Sequence, residues 1–105
     1  HYGNRIIMLH QKDFPKNCDI PVNMFDRQFD IHGQLCAKIC AGSADPITFT
    51  EVGTGIMDIQ SIIDAANLYG VKYITLEQDQ TQLGELKSIE TSMNAFHKYT
   101  GLEWD

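Results

Sequence analysis

At 105 residues, 43% of them apolar, the chain has material for one domain with one core, which rules out a multidomain organisation and argues against a disordered chain. Lys and Arg number 8 against 14 Asp and Glu, a net charge of −6, and the basic residues are scattered, which excludes a dedicated nucleic-acid binder. No apolar run approaches the ~18 residues of a membrane span. The three cysteines, Cys18, Cys36 and Cys40, are an odd number at low density and read as reduced thiols of a cytoplasmic protein. His1 leads almost at once into Ile6-Ile7-Met8-Leu9, which reads as an entry in mid-fold with no secretory leader.

Residues 4–10 are expected to form a short strand that is apolar on both faces, as in a parallel sheet covered by helices. Residues 14–50 are punctuated by Pro15, Pro21, Gly33, Gly42 and Pro46 and read as a long loop with one short helix over Gln34–Ala41. Val52-Gly53-Thr54-Gly55 is a turn, and Asp58 is the expected N-cap of a helix over 58–69. Ile59, Ile62, Ile63, Ala66 and Tyr69 form its core stripe and Gly70 its stop. Residues 71–77 are β-branched and aromatic and predict a return strand. Leu86, Ile89, Met93 and Phe96 mark a core stripe on a last helix over 84–99, closed by Gly101, with Trp104 free to pack back. Strand, long loop, helix, strand, helix is an α/β order.

Ligands of parallel α/β sheets gather at the carboxyl ends of the strands. The first strand ends in His10-Gln11-Lys12-Asp13 and the second in Glu77-Gln78-Asp79. Strand alternation puts Met8, His10 and Lys12 on one face, and Tyr73, Thr75 and Glu77 on one face of the other strand. If those faces coincide, His10 and Glu77 converge. An imidazole beside a carboxylate suits a divalent ion, and the carboxylate can also take a proton from carbon. Lys12, Lys16 and Asp13 are either functional or solvated loop charges, and Asp79 reads as a turn residue.

Other patterns are weaker. Gly53-Thr54-Gly55 hints at a dinucleotide turn, but Asp58 stands where a third glycine is required and would repel a pyrophosphate. His32, Cys36 and Cys40 fall at helical spacing, but Gly33 interrupts them and no fourth zinc ligand is evident. His97 reads as an exposed residue beside the apolar stripe.

Together the HxKD strand end, the VGTG turn before an Asp-capped helix and the LEQD strand end resemble, over about residues 4–100, the C-terminal end of the sugar phosphate isomerase/epimerase family, the xylose isomerase-like TIM barrels. The resemblance implies that the chain is a partial barrel, the last two β-to-α units of a (β/α)8 fold. It implies a divalent metal (Mn, Co, Mg or Zn) with His10 and Glu77 among its ligands, and Glu77 as an acid/base residue shuttling a proton through an enediolate. It further implies a basic residue facing the sugar or sugar phosphate, either Lys12 or Lys16. The partner carboxylate and the other metal ligands lie in units that these residues do not match, so the remainder of a barrel, or another copy of the chain, is the implied partner. An inosose-type dehydratase begins with the same proton abstraction on the same fold. A non-catalytic α/β fragment that associates through its exposed sheet edges is the alternative of a different class.

Overall fold

The computed structural model describes residues 3–18 and 46–104. The expected helix over Gln34–Ala41 and the His32, Cys36, Cys40 pattern lie outside the described residues. After a 3-10 turn at Gly3–Arg5 come strand β1 (Met8–Gln11), a second 3-10 turn at Pro46–Thr48, helix α1 (Ile59–Leu68), strand β2 (Tyr73–Leu76) and helix α2 (Glu85–Phe96). The two strands form a parallel sheet in the register Met8↔Tyr73, Leu9↔Ile74, His10↔Thr75, Gln11↔Leu76. The chain is thus a small α/β domain in which α1 is the crossover between two parallel neighbours, the connection that a parallel pair requires.

Helix α1 follows its sequence closely. The Asp58 carboxylate accepts from the Ser61 backbone N–H at 3.1 Å and from the Ser61 hydroxyl at 2.7 Å, capping the first turn. Those bonds hold its pKa below the ordinary aspartate value. The helix ends where Gly70 enters with a positive φ of 72° and the Val71 N–H reaches back to the Ala66 carbonyl at 2.9 Å. Ile59 and Ile63 are buried and join Val52 and Phe96 in the core, with Ile74, Leu76, Met93 and Leu102 packed around them. Tyr69, read as the last residue of that stripe, is 57% exposed, because it is already the C-cap and has turned off the helix face.

Two further expectations are corrected. β1 is shorter than residues 4–10, and it is not apolar and covered on both faces: Met8 and His10 are exposed while Leu9 is half-buried and Gln11 buried. β2 alternates in the same sense, so Met8, His10, Tyr73 and Thr75 share one open face, with nothing stacked on it among the described residues. The α2 stripe is displaced as well. Leu86 is 85% and Ile89 52% exposed, whereas Ser88, Ser92 and Phe96, spaced one turn apart, are the buried residues. The cause is polar: the Ser92 hydroxyl accepts the Val52 backbone N–H at 3.1 Å, and the small serines let α2 lie close against the 51–53 turn. Behind the core, α1 is tied to the segment after α2. Gln60 exchanges two 3.0 Å bonds with the Thr100 backbone, and the Asn67 amide donates to the Gly101 carbonyl. Trp104 packs back as a ring stacked on exposed His97, with centroids 4.1 Å apart. No helix among the described residues is long and apolar enough to cross a membrane.

Candidate functional site

The register decides the site. Because His10 stands opposite Thr75 on the open face, Glu77, two residues further along β2, projects on the same side past the strand end. The Glu77 backbone N–H is held by the Gln11 carbonyl at 3.1 Å, which extends the parallel ladder one step beyond β2. The side chains meet there: His10 Nδ1 lies 2.5 Å from Glu77 Oε2, and Lys12 Nζ lies 3.2 Å from Glu77 Oε1. Each Glu77 oxygen therefore has its own partner. Lys12 also reaches Asp79 Oδ2 at 2.7 Å, so Asp79 is not merely a turn residue but the second counter-ion of Lys12. Its hydrogen bond to Asp79, with help from Glu77, raises the Lys12 pKa and keeps the amine charged. All four groups are solvent-accessible, with the side chain of Glu77 35% and that of His10 54% exposed.

Lys16 is exposed and makes no ion pair with this cluster among the described residues. The cluster offers an imidazole and a carboxylate, the right donor chemistry for a divalent ion, but only two such ligands. Among the described residues no group of three or more His, Cys, Asp or Glu is placed to hold a metal. Two such ligands do not by themselves hold a divalent ion, and any ion bound here would need ligands from elsewhere.

Asp13, one residue beyond Lys12, does different work. It is buried, and its carboxylate accepts four backbone N–H groups: Phe14 at 2.8 Å, Gly53 at 2.9 Å, Gly55 at 3.0 Å and Met57 at 3.0 Å. This explains the VGTG turn. A Cβ on Gly55 would collide with the Asp13 carboxylate and the Phe14 carbonyl, and one on Gly53, at a φ of 88°, would stand 2.7 Å from the Ala95 Cβ. The N–H groups that a glycine-rich turn presents to a phosphate elsewhere are here donated to an internal carboxylate.

Glu51 was not singled out from the sequence. It too is buried, and its Oε1 accepts from the Gln78 amide at 3.0 Å and from the Thr81 hydroxyl at 2.7 Å. Burial is the largest single influence on its acidity and opposes ionisation, yet bonds from Thr81, Ser88, its own backbone N–H and Gln78 outweigh it and hold its pKa below the ordinary glutamate value. Segment 50–57 is consequently a hub. Asp13 attaches it to the end of β1, Glu51 to the loop after β2, and Val52 to α2. A glutamate two residues before a glycine turn carries no distinctive signal; only its distant partners reveal it. No known family model, curated protein or solved structure matches this chain.

Proposed function

We propose that the chain forms the last two β-to-α units of a xylose isomerase-like (β/α)8 barrel and contributes to metal-dependent isomerisation or epimerisation of a sugar or sugar phosphate. The observation that carries this reading is the convergence of His10, Glu77 and Lys12 at the carboxyl edge of a parallel sheet, where barrels of this architecture place their chemistry. The open sheet face, with Met8 48% and Tyr73 63% exposed opposite the face that packs on the core, supports a sheet whose inner face the other strands of a closed barrel would cover. In this reading His10 and Glu77, which here contact each other, would part to hold a divalent ion together with ligands from the remaining units. The ion supplies Lewis acidity toward the substrate carbonyl and hydroxyl oxygens. Glu77 takes the proton from the carbon next to the carbonyl. In isomerisation it returns that proton to the former carbonyl carbon while the hydroxyl proton passes between the two oxygens; in epimerisation an acid from the remaining units returns a proton to the same carbon from the opposite face. Lys12 stays cationic, offsets the charge left on Glu77 and the substrate, and can exchange Asp79 for an anionic substrate group. Lys16 stands as a second, more peripheral contact.

The test is proton exchange. The protein is incubated with Mn²⁺ and a panel of aldoses, ketoses and their phosphates in D₂O, and loss of the proton next to the carbonyl is followed by NMR, with native mass spectrometry reporting assembly mass and bound metal. Exchange by a metal-loaded assembly, abolished in Glu77→Gln with an unchanged circular dichroism spectrum, is the expected result. Exchange retained in Glu77→Gln overturns the assignment. The same open edges favour a second reading, a non-catalytic module that associates through its sheet; metal-free multiples of the 11.9 kDa chain with no exchange would select it.

A further inference from the structure

We propose that Glu51 is a positioning residue for Glu77, acting through Gln78 and Thr81; this rests on the reading of Glu77 as the proton-transfer residue. Residues 77–83 contain no helix or strand, and a backbone bond from the Glu77 N–H to the Gln11 carbonyl ties the start of this stretch to the sheet. The next fixed point is one residue on. The Gln78 amide donates both to Glu51 Oε1 and to the Gln80 carbonyl, and the Thr81 hydroxyl donates to the same Glu51 oxygen while accepting the Leu83 N–H at 3.0 Å. Glu77 is therefore clamped between a strand bond on one side and a buried carboxylate on the other.

Glu51 is not itself a reacting group. It is only 7% exposed, its oxygens are spent on loop and helix donors, and an acid held ionised by such bonds is a poor proton acceptor. Burying a carboxylate is costly, and the bonds that compensate it all run to the loop behind Glu77, to Ser88 at the start of α2 or to its own backbone. Without it the loop start loses its anchor, and the 2.5 Å contact between Glu77 and His10 loses its fixed geometry.

The experiment compares Glu51→Ala, Glu51→Gln and Thr81→Val by NMR at pH 7, reading hydrogen exchange at the Glu77 and Ile63 amides and the ring-nitrogen shifts of His10. Glu51→Ala is expected to speed exchange at Glu77 at least about tenfold relative to Ile63 and to move the His10 shifts to those of Glu77→Gln. Glu51→Gln, whose carbonyl accepts the same donors, restores most of both, and Thr81→Val lies between. His10 shifts unchanged in Glu51→Ala, or equal acceleration at Glu77 and Ile63, would reduce Glu51 to a stability role and overturn the proposal. Should Glu51→Ala fail to fold, Thr81→Val decides on the same criteria. These signals need no substrate, so an inactive protein with intact coupling would count against the isomerase reading and not against this one.

Discussion

Two pairs of carboxylates stand around the carboxyl end of the sheet, and the chain treats them oppositely. Asp13 and Glu51 are each 7% exposed and spend their lone pairs on backbone N–H groups and loop side chains. Glu77 and Asp79, with side chains 35% and 54% exposed, face accessible side-chain partners, Lys12 and His10. Buried Asp13 directly follows Lys12, which pairs with both members of the open set. A carboxylate whose partners are fixed belongs to the frame, whereas one whose partners can swing away is available to a metal or a substrate.

The sharpest way to break this contrast is Asp13→Ala, which leaves four backbone donors without their acceptor and should cost about 4 kcal/mol, a large share of the stability of a small domain. Urea unfolding would show this as a lower midpoint at unchanged slope. Gly55→Ala should follow at about 2 kcal/mol, because the added methyl collides with the same carboxylate. Combined with Asp13→Ala it should cost less than the sum of the two, since one of its two clash partners has gone and only the Phe14 carbonyl remains.

Acid should act through Glu51. The Glu51 pKa is depressed on folding, so its contribution is fully present above the unfolded value near 4.5 and is lost as the pH falls through the lower folded value. Thermal melts from pH 7 to 2 should show an acid limb that is flatter in Glu51→Gln. The smallest stability effect is expected at the accessible pair. Lys12→Met should change stability by less than about 1 kcal/mol, because exposed ion pairs are weak, while removing the cation between Glu77 and Asp79. A stability loss at Lys12 as large as that at Asp13 would dissolve the distinction between the pairs.

The helices show where sequence reading succeeds and where it stops. Asp58, Ile59, Ile63 and Gly70 are legible because cap, stripe and stop act within one or two turns of chain, and α1 lies as expected. For α2 the apolar spacing of Leu86, Ile89, Met93 and Phe96 pointed to a core stripe, and only Phe96 is buried. The spacing was correct about the helix and about Met93 and Phe96, which pack in or on the core, and wrong about Leu86 and Ile89, which are exposed. Ser92 bonds to a backbone N–H 40 residues away, and that bond orients the helix. The strand ends divide the same way. Alternation placed His10 and Glu77 each on a face, but their meeting depended on a register that no single strand encodes.

By itself the sequence determined the α/β order, the capped first helix, and the presence of an imidazole, an amine and carboxylates at two strand ends. These follow from local propensity and side-chain periodicity. Tertiary structure alone decided which carboxylates are buried and which stay open, that Asp79 completes the Lys12 pair, and that Glu51 stands behind the loop of Glu77. Burial and hydrogen bonding between residues 27 to 67 positions apart set those outcomes, and such distances leave no period in the chain.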